Sequence, residues 1–203
     1  MPISGHGWEL HIVRSAEQAL GDERRTVGRY QVFHDGVAQP GPNMSGMTAE
    51  TQGPGANHPV NNGKRIEAGR YPVFTHPPGD YATWGYSPSD AEGAEPKPSL
   101  ELKDTGARTD ILVHPGNGFL RSVGCINLCT SLPNAGEMIT YRSSRRRVIA
   151  VIDDLKNFAG AAFPQTNGHQ ISNSAVVIDG EPPAATVSAR PPSPGGRDFG
   201  APD

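Results

Sequence analysis

The sequence predicts a mainly β domain of the α+β class with one principal helix. Two segments within the first 34 residues alternate apolar and polar side chains, and two short apolar runs, 110–114 and 175–178, have the length of buried strands. Only residues 148–158 place apolar side chains at helical spacing. Glycine (25 residues) and proline (20 residues) are abundant, which favours many turns and a modest core.

The first 100 residues are expected to contain three strands and two loops. Residues 8–14 and 26–34 alternate, and the polar connection between them favours an antiparallel pair. Residues 39–64 are rich in Gly, Pro, Asn and Thr and have no periodicity, which predicts a long loop. Residues 65–75 return to strand character, and 76–99 are expected to form a second loop.

The remaining chain is expected to contain two more strands with the helix between them. Residues 110–114 form a buried strand that ends in a histidine, and 175–178 form the last strand. Ser143 or Ser144 is positioned to cap the helix, and Gly160 to end it. Residues 1–180 therefore form one domain, and the Pro, Ala, Ser and Gly-rich segment 181–203 is expected to be a disordered tail.

Charge and hydropathy exclude several classes of function. The net charge is -3, so no general attraction to nucleic acid is expected, and the arginines at 145–147 are expected to form a solvated face. No apolar run approaches the ~20 residues that cross a bilayer. The N-terminus lacks the basic and apolar segments of a secretory signal, so we expect synthesis in the cytoplasm and, for any external role, specialised export.

Cys125 and Cys129 are the only cysteines. Two cysteines four residues apart form no disulfide framework, and neither a helix nor a strand would give them normal disulfide geometry. A two-cysteine metal site would need further ligands, and the sequence has no tight Cys/His cluster, so no metal is expected. Two hypotheses stay open: both cysteines are buried apolar thiols, or one thiol is reactive and the other is structural.

Residues 114–127 contain what a cysteine nucleophile requires. His114 titrates near neutrality and can serve as the base for Cys125. Gly124 lets the backbone bend before Cys125, so that amide groups there can hold an oxyanion. Ser122 can hydrogen-bond either the imidazole or the oxyanion. Taken singly, Cys125 is equally a small buried hydrophobe, and His114 a strand-end histidine.

Residues 122–127 read Ser-Val-Gly-Cys-Ile-Asn and resemble the signature of the L,D-transpeptidase superfamily. That signature reads Ser or Thr, His, Gly, Cys, an apolar residue, then Asn or Arg, with a histidine upstream that His114 matches. Residues 111–117 and 66–73 are similar to a compact bacterial and phage branch of it, and the resemblance spans about residues 8–180. Two features depart from the main pattern: Val123 replaces a histidine, and only eleven positions separate His114 from Cys125.

The resemblance implies a β-sandwich or barrel with its main helix after the cysteine, and a cysteine acyl-transfer enzyme that acts on peptidoglycan stem peptides. Cys125 would attack the carbonyl between an L-centre and a terminal D-alanine, and His114 would move the proton. The thioester would pass to an amine or to water, without a cofactor. The residues assigned to catalysis and to oxyanion or substrate binding are Cys125, His114, Ser122, Gly124, Asn127, Asn117 and Arg65.

The absence of a signal peptide favours a phage-type protein or an antibacterial effector that acts in the periplasm, with an immunity protein or secretion component as partner. Two alternatives stay open. One is a non-catalytic structural β domain that keeps the motif, which Val123 favours. The other is a cysteine amidase or peptidase that cleaves a different bond of the cell wall.

Overall fold

The computed structural model describes residues 2–185, so Met1 and residues 186–203, most of the expected tail, lie outside the description. The described residues contain eleven β-strands and one α-helix. In chain order the elements are β1 (Trp8–Leu20), β2 (Glu23–His34), β3 (Val37–Ala38), β4 (Ser45–Glu50), β5 (Gly69–Thr75), β6 (Tyr81–Ala82), β7 (Lys97–Pro98), β8 (Leu100–Leu102), β9 (Ile111–His114), β10 (Ile126–Cys129), α1 (Tyr141–Ala159) and β11 (Gln170–Asp179).

Eight strands form a closed β-barrel in the order β1-β11-β5-β8-β9-β10-β4-β2, and pairing of β1 with β2 closes it. Most neighbours are antiparallel, whereas β1 with β11 and β9 with β10 are parallel. Closure gives every barrel strand two hydrogen-bonded neighbours, which removes the open sheet edges. The prediction of a mainly β protein with one main helix after Cys125 is confirmed at this level.

One apolar core joins the barrel strands to the helix. Alternate residues of β1, β8, β9, β10 and β11 bury their side chains, as the period of two in a strand requires. One side of α1 packs against the same core. The largest buried members include Trp8, Leu10, Ile12, Tyr71, Leu100, Val113, Ile126, Leu128, Ile152, Leu155 and Ile178.

The structure corrects several of the predicted elements, since β6, β7, β8 and β10 lie where no strand was expected. Residues 39–64 were expected to form a loop, but β4 lies inside this segment and pairs with both β2 and β10. The helix begins at Tyr141 with Thr140 as its N-cap residue, so neither Ser143 nor Ser144 caps it. Instead Ser144 Oγ accepts a hydrogen bond of 2.8 Å from Gly116 N–H. Gly160 does end the helix, at a φ of 54°.

Residues 181–185, the first part of the expected tail, contact the barrel. The Glu181 carboxylate accepts hydrogen bonds of 2.7 Å from Gly55 N–H and from Arg65 Nη2. The Ala185 N–H donates to Glu17 at 3.1 Å. In residues 2–185, no helix has the length and apolar character needed to cross a membrane.

Candidate functional site

The parallel pair β9 and β10 places the motif residues on one face. In its register Val113 lies beside Ile126, and His114 beside Asn127. Val113 and Ile126 point into the core, so His114 and Asn127 point to the opposite face. One step back along the same register, Cys125 lies beside Leu112, on the face that carries His114. The sheet therefore brings together a cysteine and a histidine that are eleven positions apart in sequence.

The Cys125 thiol is partly exposed and is held against the start of β9. Sγ donates to the Asp110 carbonyl at 3.4 Å, and Leu112 N–H donates to Sγ at 3.4 Å. Burial raises the pKa of Cys125 to about 11, and the Asp110 charge acts in the same direction. The Leu112 N–H and the Arg108 charge oppose that rise. The thiol is consequently protonated at neutral pH.

The His114 imidazole is buried and neutral. Its Nδ1 lies 2.9 Å from the Pro115 carbonyl, and because a carbonyl only accepts, Nδ1 carries the ring proton. Nε2 then has the lone pair, and no residue in 2–185 forms a hydrogen bond with it. Burial lowers the pKa of His114 to about 4, and the nearby Lys97 and Arg121 charges lower it further, against the effect of the Pro115 carbonyl.

Within the described chain, no hydrogen bond joins Cys125 Sγ to His114, because the thiol is bonded to Asp110. Tyr81, on β6, links the two groups spatially. Its ring centroid lies 4.6 Å from that of His114, and a charge on Cys125 contributes to raising the Tyr81 pKa, after burial as the main cause. Sequence reasoning missed Tyr81, since it lies in the segment expected to be a loop, where only its aromatic type gave a signal.

Arg108 is a second residue that sequence reasoning missed. Its guanidinium is buried and donates to the carbonyls of Ala56 (3.2 Å), Lys64 (2.8 Å) and Val123 (3.2 Å). It lies against Gly124, whose φ is +104°, so that an added Cβ would lie 2.8 Å from Arg108 Cζ and overlap Nη2. Arg108 therefore supplies the positive charge behind Cys125, and only a glycine fits between the two.

Ser122 and Asn127 lie at the site and mainly contact the backbone, although Asn127 Nδ2 also lies 3.5 Å from His114 Nδ1. Ser122 Oγ donates to the Cys125 carbonyl at 2.6 Å, which fixes the turn, whereas a hydrogen bond to the imidazole or to the oxyanion was expected. Asn127 is fully buried, and its Nδ2 donates to the His114 carbonyl at 3.2 Å. Its side chain also occupies the space beside Gly116, where a Cβ would lie 2.6 Å from Asn127 Cγ. Both residues thus position the catalytic candidates, and the oxyanion role expected for Asn127 is not available to its buried amide.

Asn117 lines a separate surface cavity of about 420 Å³. Its Nδ2 donates to Glu92 Oε2 at 2.7 Å, and Arg121 Nη1 lies 3.0 Å from Glu92 Oε1. Tyr141 also lines the cavity. The Arg121 charge also acts to lower the pKa of both His114 and Tyr81.

Arg65 lies in a buried ion-pair network, away from the role expected for it. Its Nη1 lies 2.8 Å from Glu17, and its Nη2 lies 2.7 Å from Glu181. Nη1 also donates to Thr26, and the whole residue is fully buried. The guanidinium is thereby occupied by the protein, so the expected contact with a substrate carboxylate is replaced by a structural one.

Among residues 2–185, one group of side chains could hold a metal ion, although no metal was expected from the sequence. The ligand atoms of His76, Glu101 and Asp110 lie within 4.8 Å of one another. These residues are 25 and 9 positions apart, so a search for closely spaced Cys and His does not find them.

The fold and this site define a β-barrel protein with a partly exposed cysteine and a buried histidine at the junction of two parallel strands. Comparison with protein-family models, with curated proteins and with solved structures finds no match to this chain. Function is therefore argued from the site itself and from the motif of residues 122–127.

Proposed function

We propose that this protein is a cysteine acyl-transfer enzyme of the L,D-transpeptidase type that acts on peptidoglycan stem peptides. One observation carries the proposal: the Pro115 carbonyl fixes the His114 tautomer, so Nε2 carries the lone pair, and His114 lies on the strand face that also carries Cys125. A base with a fixed tautomer beside a nucleophile at a glycine turn is what acyl transfer requires. The closed barrel with its helix after the cysteine also supports the fold that the motif implies.

Both groups are uncharged at rest, which determines the order of proton transfer. The high pKa of Cys125 and the low pKa of His114 disfavour a thiolate–imidazolium pair. Sγ first turns from the Asp110 carbonyl toward Nε2. His114 then accepts the thiol proton as sulfur attacks the carbonyl between the L-centre and the terminal D-alanine.

The developing oxyanion needs donors that are already in place. Backbone N–H groups of Gly124 and Cys125 are the candidates, and the Arg108 charge behind this turn favours negative charge there. His114 returns its proton to the amine of D-alanine, which leaves, and the acyl group stays on Cys125 as a thioester. Attack by an amine gives a cross-link or an exchanged D-amino acid, and attack by water gives carboxypeptidase activity.

The test is incubation of purified protein with disaccharide tetrapeptides, followed by mass spectrometry. We expect loss of D-alanine, or its exchange for added D-methionine, with wild type and with Cys129→Ala, and neither product with Cys125→Ala or His114→Gln. Cleavage at another amide would indicate the amidase alternative. If the disaccharide tetrapeptide stays unchanged with wild type as it does with Cys125→Ala, the proposal is refuted.

A second candidate is a non-catalytic β module, which the thiol's hydrogen bond to Asp110 favours, because that bond directs Sγ away from His114. Expression in the periplasm of a host bacterium separates the two. The enzyme proposal, with its site of action in the cell wall of a target cell, expects swelling or lysis with wild type and none with Cys125→Ala. Equal growth of both strains supports the module.

A further inference from the structure

We propose that His76, Glu101 and Asp110 form a binding site for one divalent transition-metal ion, for which Zn²⁺ is the best match. The site lies beside the candidate active site, because the Asp110 carbonyl accepts the Cys125 thiol bond. It does not rest on the proposed function.

The barrel strands place the three ligands together. His76 follows the last residue of β5, Glu101 lies in β8, and Asp110 directly precedes β9. These strands are neighbours, with Glu101 paired to Phe74 on one side and to Leu112 on the other. Ligands bound at ~2.0–2.2 Å from a zinc ion lie ~3–4 Å from one another. The ligand atoms of the three side chains lie within 4.8 Å of one another, so small side-chain rotations would bring them to that geometry.

The state of His76 points independently to a ligand. Its Nδ1 is fully buried and forms no hydrogen bond within residues 2–185, and the nearest carboxylate oxygen, Glu101 Oε2, is 3.5 Å away. A buried ring nitrogen without a partner is unfavourable, and most such groups in folded proteins are satisfied. The backbone of His76 is fixed, since its N–H donates to buried Thr83 Oγ1 at 2.8 Å. The imidazole is therefore held beside two carboxylates.

The charges also suit a cation. The Glu101 side chain is only 2% exposed and contacts one cation, Lys103, while Asp110 is exposed. Glu101 and Asp110 carry two negative charges and Lys103 carries one positive charge, so one negative charge remains at the site. Exposed Asp110 provides an entry path to the buried ligands. One imidazole nitrogen with two carboxylates favours zinc-like ions, whereas Ca²⁺ and Mg²⁺ prefer sites made of oxygen alone. Three protein ligands leave a fourth position for water.

The test is calorimetric titration of chelator-treated protein with Zn²⁺, with folding of each variant checked by circular dichroism. We expect one equivalent to bind, with affinity reduced roughly tenfold or more by His76→Ala and by Asp110→Asn. His6→Ala, which removes an exposed histidine near the N-terminus, and Cys125→Ala should leave the affinity unchanged.

Co²⁺ provides a second readout, since a thiolate ligand gives it an intense charge-transfer absorption that an N/O site lacks. We expect absorption of the N/O type. Absence of Zn²⁺ binding to folded wild type, or unchanged binding in both ligand variants, would overturn the proposal. A thiolate band, or loss of binding in Cys125→Ala, would place the ion on the cysteine and overturn it equally. None of these readouts depends on cell-wall activity, so each proposal can fail separately.

Discussion

Replacement of Gly124 by alanine tests whether the turn before Cys125 depends on its contact with Arg108. Gly124 has a φ of +104°, and an added Cβ would overlap Arg108 Nη2. A non-glycine residue in such a sparsely populated conformation costs about 1–3 kcal/mol. Displacing Arg108 Nη2 from the Val123 carbonyl removes a hydrogen bond from a charged donor, which costs about 1.5–3 kcal/mol. We therefore expect Gly124→Ala to lower the free energy of unfolding by roughly 3–5 kcal/mol.

The assay is urea unfolding followed by circular dichroism, with Gly118→Ala as the matched control. Gly118 also has a positive φ, of +64°, but an added Cβ would have no atom within 4 Å. Gly118→Ala should lower the free energy of unfolding through backbone strain alone, by about 1–2 kcal/mol. In an Arg108→Ala background, the cost of Gly124→Ala should fall to its backbone term alone. If both glycine variants lose equal stability, or if the Arg108→Ala background makes no difference, the steric argument is wrong.

Three further predictions concern charge. Because the Cys125 pKa is about 11, alkylation of Cys125 at pH 7 should be roughly a few hundredfold slower than that of a free cysteine. The alkylation rate should rise about tenfold per pH unit, and Cys129→Ala should behave as wild type. An alkylation rate that is independent of pH between 6 and 9 would contradict this. The pKa of His114 is about 4 in the folded protein and 6.5 in the unfolded chain, so acid favours the unfolded chain. The free energy of unfolding of wild type should therefore fall by about 2–3 kcal/mol between pH 7.5 and pH 4.5, beyond any loss in His114→Asn. Urea unfolding at the two pH values measures it, and equal losses in both proteins would count against a buried neutral imidazole. Arg65→Met leaves a buried carboxylate unpaired and should lower the free energy of unfolding by about 3–5 kcal/mol. Arg142→Met, at an exposed ion pair, should lower it by less than about 1 kcal/mol. Similar melting temperatures for these two variants would show that the Arg65 network does not stabilise the fold.

Local patterns were sufficient for the elements that have strong periodicity. The paired strands β1 and β2, the strand that ends at His114, and the helix that ends at Gly160 all follow from alternation, helical spacing or a turn residue. They were predictable because a half-buried strand or helix must repeat its apolar residues at the period of its own backbone. Strand β4 was missed because Gly, Thr and Ser dominate it, and its pairing with β2 and β10 overrides that weak local preference.

The candidate nucleophile and base belong to what the sequence alone determined. Cys125 and His114 lie in one short motif, and their residue types state their chemistry without any knowledge of the fold. Their protonation is different. Burial keeps both groups in their neutral forms, against the opposing effect of the Pro115 carbonyl on His114, and burial is a property of the folded barrel alone.

Only the tertiary structure decided which other side chains surround Cys125. Arg108, Tyr81 and the His76–Glu101–Asp110 group lie in segments without a motif, and they meet because β5, β8 and β9 are neighbours in the closed barrel. Arg65 shows the converse, since it was expected to bind substrate and the fold buried it between Glu17 and Glu181. Sequence carries local periodicity and the chemistry of each residue, whereas contacts between distant segments depend on strand order and register, which are fixed only when the whole core packs.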